Sequence, residues 1–265
     1  MATKDEIRST KHLRKDHAEF ELVGKPALCL NHMQRGLAGE GMFLPNWGPP
    51  AKKGIDDSKM VDKCKLLIDA FHEKGLPVVF CNVVPIPLPY ANAYGDMFRE
   101  QKAGYMKRYG GKFVDFFTDE WTRRGLEVMP ELGPAEQDFV SYSWNVHPFT
   151  NSGLELLLHQ LDVDTVIWTG FAQQSVVLTS CAVAADKNFN SIVPVDASYC
   201  CVPPTTPEFY EGLDEVVAEA AVKVLIAALA HCTDTAAVID KVSRYEGPKG
   251  RPDPGALPMI SEGHF

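Results

Sequence analysis

The order of apolar and polar positions in this chain alternates between two kinds of pattern. After Gly24-Lys25-Pro26, the run Ala27–Met33 is short, apolar and bounded by turn residues, which is typical of a buried strand in a parallel sheet. From Ser58 to Lys74 the apolar residues recur at the spacing of one helical face, and Gly75 follows. This segment is predicted to be an amphipathic helix. Residues 77–84 form another apolar run and predict a second strand.

The same alternation of strand and helix continues along the chain. Further strands are predicted over 138–143, 165–170 and 191–196, and further helices over 151–160, 175–188 and 206–230. Strands that alternate with helices need crossover connections, so the predicted fold class is α/β. We expect a three-layer αβα architecture, a Rossmann-like parallel sheet of about six strands with helices on both faces. In such a sheet, ligands bind beyond the carboxyl ends of the strands.

One α/β domain is predicted over residues 25–235, with a segment on each side of it. Residues 1–24 are charged and polar and predict a surface arm or a first helix. Residues 236–265 end in a stretch rich in glycine and proline and predict an extended arm. Within the domain, residues 86–136 are long for one connection and rich in aromatic residues. Such an insertion is typical of a lid or an oligomer contact.

Composition and charge narrow the function classes. The 265 residues are 45% hydrophobic, which suits one large core, and the net charge of -9 comes without a long basic run. We therefore expect a small-molecule partner, and neither nucleic acid nor a membrane. The chain has no apolar stretch of membrane-spanning length, and its first residues do not resemble a signal peptide, so a cytoplasmic protein is expected. The seven cysteines contain no CxxC pair and are expected to be reduced core thiols.

Several segments have the residue types and the spacing of a known set of motifs. Met33-Gln34 follow the first predicted strand, and Gly170 comes twenty-one positions after Phe149. In these motifs the chain resembles the isochorismatase-like family of cysteine hydrolases. Trp144 follows the family's lysine position. Further residues fall where the family has Thr, Ala, Gly-Tyr and Asp-Ala: Ser180, Ala184, Asn188-Phe189 and Asp196-Ala197. The resemblance covers most of residues 25–235, without the insertion, and implies the α/β fold and a homodimer or homotetramer.

The resemblance also implies that all three positions of the usual catalytic triad are replaced. His32 stands in place of the aspartate, Ser143 in place of the lysine, and Val176 in place of the cysteine. Valine has no attacking atom, so covalent cysteine catalysis at this position is excluded. True isochorismatases also lack that cysteine and use water. His32 is a candidate acid-base group, because an imidazole titrates near neutral pH, or else a hydrogen-bonded core histidine.

Ser143 is the second candidate catalytic residue, either as a nucleophile paired with His32 or as a residue that only fills space at a strand end. Ser175 is an alternative nucleophile or a helix cap. The turn before residue 176 opens a helix, whose amino end favours an anionic group. The residues predicted to bind substrate are Asn31, Gln34, Trp144, His147, Phe149, Gln173, Gln174, Ser175 and Val176. No metal or other cofactor is predicted, since His32 and His147 lack a nearby carboxylate.

Three hypotheses for function follow from these residues. The first is a divergent isochorismatase-like hydrolase or lyase that acts on a small cyclic or carboxylate-bearing metabolite, with His32 as acid-base group and water as nucleophile. The second is a catalytically inactive ligand-binding or scaffold protein that keeps the pocket. The third is a serine-based hydrolase that uses Ser143 or Ser175. We favour the first, an enzyme.

Overall fold

A computed structural model describes residues 19–38, 49–84, 124–143, 147–200 and 213–247. Its strands are β1 (Lys25–Asn31), β2 (Val78–Val83), β3 (Phe139–Ser143), β4 (Val163–Phe171), β5 (Asn190–Pro194), β6 (Ser198–Tyr199) and β7 (His231–Thr233). Its α-helices are α1 (Arg35–Ala38), α2 (Pro49–Ser58), α3 (Met60–Glu73), α4 (Leu154–Gln160), α5 (Leu178–Asp186), α6 (Leu213–Val224) and α7 (Thr235–Ser243). Two π-helices (Gln173–Val177 and Leu225–Leu229) and two 3-10 turns (Pro130–Leu132 and Val195–Ala197) complete the described elements.

The strands form one sheet in the order β3-β2-β1-β4-β5-β7, and β6 pairs with β4 beyond the end of β5. Every pairing is parallel. The order runs outward from β1 in one direction and from β4 in the other, as in doubly wound sheets. The predicted fold class, a three-layer parallel α/β sheet, is confirmed.

Alternate residues of the central strands enter two separate apolar clusters, one on each face of the sheet. Leu28 and Leu30 of β1 lie on the first face, in a cluster with the buried side of α3. Ala27 and Cys29 lie on the second face, in a cluster with α5. Because successive strand residues point to opposite faces, a strand buried on both sides is expected to be largely apolar. This preference explains the continuous apolar run that predicted β1.

The buried residues of α3 show why its sequence forms a helix on this sheet. Its fully buried residues recur at helical spacing: Met60, Cys64, Leu67, Ile68 and Phe71. Burial of one such side chain contributes about 1.5–3 kcal/mol to folding. The helix ends before Gly75, whose φ of 64° lies in the left-handed region that glycine adopts without steric cost.

Several predicted boundaries differ from the structure. The predicted strand 191–196 is shorter, because Val195–Ala197 form a 3-10 turn, and β6 and β7 were not predicted. The expectation of an extended arm from residue 236 is wrong at its start, since α7 occupies Thr235–Ser243. Helix α7 is capped by Asp234, whose carboxylate accepts a hydrogen bond from the Ala237 amide at 2.8 Å. Three predicted features lie wholly or partly outside the described residues. They are residues 1–18 of the predicted arm over 1–24, most of the predicted lid, and the tail after residue 247.

Candidate active site between β1 and β4

The strand order reverses between β1 and β4, and the two strands end side by side. Asn31 is in register with Gly170, and the backbones are in close contact there. A Cβ atom on Gly170 would lie 2.2 Å from the Asn31 carbonyl oxygen, and the φ of Gly170 is 93°. Only glycine fits this position. Reversal points of this kind form crevices at the carboxyl edge of the sheet, where α/β proteins bind ligands.

His32 is the first residue after β1, and it lies at this edge. Its φ of 56° turns the chain out of the strand direction, and its backbone amide donates a hydrogen bond to the Cys81 carbonyl of β2 at 2.8 Å. The residue is only 8% exposed. Burial limits the conformations of the imidazole, which suits a group that must hold a proton at one place.

The Gln34 side chain connects β1 to two neighbouring segments. Its Nε2 donates to the carbonyls of Val83 and Gly125, both at 3.1 Å, and its Oε1 accepts from the Val83 amide at 2.8 Å. Both amide hydrogens are therefore used by backbone groups. These bonds make Gln34 a structural bridge to the end of β2 and to the described end of the insertion, where Gln34 also pairs with Val128.

Asn31 is the last residue of β1 and is fully buried. Its Nδ2 donates to the Thr169 carbonyl of β4 at 3.3 Å. Its Oδ1 is buried and accepts no hydrogen bond from any residue that the structure describes. The side chain thus brings one unsatisfied acceptor to the crevice.

Ser143 ends β3 and is 2% exposed. It is in register with Val83, and its carbonyl accepts from the Val84 amide at 2.7 Å. Strand β2 lies between β3 and β1, so the backbones of Ser143 and of the end of β1 are about 10 Å apart, two strand spacings. A serine side chain is short, and this separation weighs against a direct pair of Ser143 and His32.

The segment after β4 places an apolar side chain at the position predicted for the nucleophile. Val176 is fully buried within the second apolar cluster. The expectation that Ser175 caps the helix is wrong, because the cap position is held by Ala172. The Ser175 hydroxyl instead donates to the Ala172 carbonyl at 3.5 Å. Gln173 is buried and Gln174 is half-buried in the same π-helix.

His147 and Phe149 lie on the second face, beside α4 and the end of α5. The Phe149 ring lies 5.8 Å from that of Trp168 and 6.4 Å from that of Phe189, and the Lys187 ammonium lies 5.8 Å from its centre. Its described aromatic contacts are therefore core contacts. The His147 ring is in hydrogen-bond contact with the Thr150 hydroxyl at 2.8 Å. Burial, and then the nearby Lys187 ammonium, lower the pKa of His147. Trp144 lies outside the described residues.

Four buried thiols of the described residues are protonated at neutral pH. Burial raises the pKa of Cys64 and of Cys232 to about 12, and it raises the pKa of Cys29 and Cys181 strongly. A cysteine nucleophile must be a thiolate. None of these four sulfur atoms can supply one.

A family model of the isochorismatase domain matches residues 26–237. The chain belongs to the isochorismatase family. Among curated proteins, none matches this sequence significantly. The match begins at β1 and ends inside α7, so it spans the whole sheet and both faces.

Solved structures of isochorismatase-family proteins share the fold at low sequence identity. A cysteine hydrolase from Pseudomonas syringae pv. phaseolicola 1448A is 16% identical, with a TM-score of 0.61 over 82% of this chain and 92% of that one. An isochorismatase family protein from Desulfovibrio vulgaris subsp. vulgaris str. Hildenborough is 21% identical, with a TM-score of 0.56 over 84% and 100%. The N-carbamoylsarcosine amidase of Thermoplasma acidophilum is 21% identical, with a TM-score of 0.50 over 80% and 96%.

Two other features, a metal-binding cluster and a membrane-spanning helix, are absent from the described residues. The described ranges contain no group of three or more His, Cys, Asp or Glu side chains arranged to hold a metal ion. Among the same residues, no helix has both the length and the apolar character needed to cross a membrane.

The structure adds two serines that sequence reasoning did not single out. Ser141 of β3 and Ser198 of β6 lie at the level of Asn31, because the register aligns Ser141, Cys81, Asn31, Gly170 and Ser198 across the sheet. We call these five residues the polar row. The two-residue period of a strand relates Ser141 to Ser143 and could have indicated it. Ser198 depends on a register that the sequence does not reveal.

Proposed function

We propose that this isochorismatase-family protein is a hydrolase or lyase that works without a cysteine nucleophile, with His32 as the acid-base group and water as the nucleophile. The observation that carries the proposal is the position of His32, a buried imidazole at the carboxyl end of β1, beside the point where the strand order reverses. The substrate class is a small cyclic or carboxylate-bearing metabolite.

The chemistry of this proposal needs one titratable group and one water molecule. His32 takes a proton from the water as the water attacks the scissile bond, and it returns that proton to the leaving group. An imidazole serves both steps near neutral pH, and such transfer contributes about 10²–10⁴-fold to a rate. The first amide groups of the π-helix at Gln173 lie next to the crevice and could orient an oxyanion.

Covalent routes have less support among the described residues. Val176 has no nucleophilic atom, and the described thiols with raised pKa are protonated. The Ser175 hydroxyl donates a hydrogen bond to a backbone carbonyl. Ser143 is separated from His32 because strand β2 lies between β3 and β1. A serine hydrolase therefore remains the weaker hypothesis, and an acylating probe tests it, because a covalent adduct at either serine would revive it.

The test of the proposal compares two histidine variants. Purified protein is incubated with a panel of small cyclic amides, esters and vinyl ethers, and products are detected by mass spectrometry. We expect His32→Gln to lower kcat on any turned-over compound by about 10²–10⁴-fold, with an unchanged unfolding temperature. The control is His159→Gln, on α4, whose ring lies 5.0 Å from that of Phe189; it should keep full activity.

Two outcomes would count against the proposal. Full activity in His32→Gln would exclude His32 as the acid-base group. A wild-type protein that binds panel compounds and converts none would favour the second hypothesis, a pseudoenzyme, which the buried Val176 also favours.

A further inference from the structure

A cavity lies at the amino edge of the sheet, at the opposite end of the strands from the crevice. Its volume is about 460 Å³, within the range of about 300–1,000 Å³ that small-molecule sites occupy. Asn190, the first residue of β5, lines the cavity and pairs with Thr165 of β4. Gly170 of the crevice follows Thr165 by five residues along β4, a distance of about 16 Å. The cavity is therefore separate from the crevice.

The register of β5 and β7 explains why a space remains there. Strand β7 pairs with β5 only from Ile192 onward, where Ile192 is opposite His231. Asn190 and Ser191 come before this first pair, so β7 does not cover the side of β5 next to them. The segment before β1 closes one side of the opening and is held to β4 by a hydrogen bond of 2.6 Å at the Val23 carbonyl. The cavity is thus bounded by secondary structure and by a fixed segment.

The walls of the cavity are aromatic and aliphatic. Phe20 and Phe189 are 6% and 5% exposed, and they belong to the apolar clusters on opposite faces of the sheet. The His231 ring lies 5.0 Å from the Phe20 ring, so the two rings form one aromatic wall. Leu229 and Ala230 add aliphatic surface. Walls of this kind favour a ligand with a planar apolar body.

Two polar side chains of the lining already have hydrogen-bond partners. The Ser191 hydroxyl accepts from the Trp168 indole N–H at 3.2 Å, and the Asn190 side-chain amide donates to the Asp164 carbonyl at 3.4 Å. A strongly polar ligand body would lose its hydration here without equal compensation from these two groups. The polar end of a ligand is therefore expected at the mouth of the cavity.

The charged residue at the mouth is Glu21. Its side chain is 88% exposed, and its carboxylate pairs with the Lys241 ammonium at 3.3 Å. That ammonium also lies 5.7 Å from the centre of the Phe20 ring, a distance typical of a cation–π contact. The protein thus already holds one ammonium group against this carboxylate and this ring. Because exposed ion pairs are weak, a ligand ammonium can share the carboxylate, and the net charge of -9 favours a cation as well.

We infer that this amino-edge cavity binds a small aromatic amine, with its ring against Phe20, His231 and Phe189 and its ammonium group at Glu21. The cavity has room for such a molecule, since a protein cavity of about 150 Å³ holds benzene. The inference goes beyond the proposed function, because this second site takes no part in the reaction at the crevice.

The test uses two probes with the same ring and the same two-carbon linker but opposite charge, 2-phenylethylamine and 3-phenylpropionate. Calorimetry measures their affinities, and amide chemical shifts of the isotope-labelled whole chain locate the site. We expect the amine to bind about fivefold more tightly than the carboxylate, the value of one exposed ion pair. Amide signals of residues 189–192 and 229–231 should shift, whereas those of Asn31 and Gly170 should not.

Three variants separate the charge from the cavity. Glu21→Gln should weaken binding of the amine about two- to fivefold and should not weaken binding of the carboxylate; its exposed side chain makes loss of folding unexpected. The matched control is Glu19→Gln, an exposed carboxylate that does not line the cavity, and it should leave both affinities unchanged. Ala230→Leu fills part of the cavity and should weaken binding of the amine at least about tenfold, because the ligand and the larger side chain compete for the same space.

Several results would overturn the inference. They are no binding of the amine at millimolar concentration, equal affinity for the two probes, unchanged affinity for the amine in Glu21→Gln, and chemical-shift changes at the crevice in place of the amino edge. If Ala230→Leu fails to fold, as its unfolding temperature would show, Glu21→Gln and Glu19→Gln still decide the question. The measurements involve no turnover, so the activity of the His32 variant leaves them untouched and the two proposals fail separately.

Discussion

At the scale of single residues, Gly170 sets the distance between β1 and β4. We expect Gly170→Ala to destabilise the protein by about 2–5 kcal/mol, since a left-handed φ costs about 1–2 kcal/mol and overpacking about 1–3 more. The Cβ would meet the Asn31 carbonyl oxygen at 2.2 Å, whereas a Cβ on Gly75, at φ 64°, meets nothing within 4 Å. Gly75→Ala, the control, should cost only the φ contribution of about 1–2 kcal/mol in urea unfolding. Equal costs would contradict the steric argument.

A second effect of a single residue is that His147 makes the free energy of unfolding depend on pH. Burial and Lys187 lower its pKa from the ordinary value of 6.5, so below that pH the unfolded chain binds a proton that the folded protein does not. The contribution of the neutral His147 ring to the free energy of unfolding is therefore fully present above pH 6.5. It is lost as the pH drops towards and through the folded pKa. An imidazole NMR titration should give a low midpoint, and Lys187→Met should raise it. A midpoint at or above the ordinary value would contradict the cause given.

At the scale of elements, Gln34 connects the end of β1 to β2 and to residue 125. We expect Gln34→Leu to destabilise the protein by about 2–4 kcal/mol, because it leaves backbone groups of Val83 and Gly125 without their partner. Amide exchange at Val83 should accelerate, while KM on any compound that the wild-type protein turns over should not change. A change in that KM would instead support the predicted role of Gln34 in substrate binding.

The control for Gln34 is its neighbour Arg35, which contacts the same segment from outside. Its guanidinium pairs with Glu127 at 3.0 Å, with side chains 35% and 52% exposed. Exposed pairs contribute less than about 1 kcal/mol, so Arg35→Ala should be nearly neutral. Equal losses of unfolding free energy in Gln34→Leu and Arg35→Ala would show that the hydrogen bonds of Gln34 do not cause the destabilisation.

At the scale of the whole molecule, the periodicity of the sequence predicted more of the fold than of the site. Runs such as Ala27–Met33 predicted central strands because a strand buried on both faces is mostly apolar. The polar row could not be predicted, since its members come from different strands and meet only through the register. Helix α7 was missed because it is short and the tail after it is rich in glycine and proline.

Helix α7 belongs to the folded domain, which therefore extends beyond residue 235. Val238 and Val242 are fully buried in the first apolar cluster, and α7 packs against α3. Its first residue, Thr235, donates through its amide and its hydroxyl to the Asp196 carboxylate at 2.8 and 2.9 Å. Lys63 of α3 pairs with the same carboxylate at 3.4 Å. The helix is thus part of the core and not an arm outside it.

A chain that stops after Thr235, at the domain end predicted from the sequence, should therefore not fold cooperatively. Loss of two buried valines costs about 3–6 kcal/mol, and exposure of the α3 surface adds to this, against a total stability of about 5–15 kcal/mol. Near-ultraviolet circular dichroism and urea unfolding would measure the loss. The control is full-length Asp240→Ala, which removes only an exposed ion pair with Arg244 and should unfold as the wild type does. A cooperative transition at the wild-type midpoint in the shortened chain would place α7 outside the folding unit.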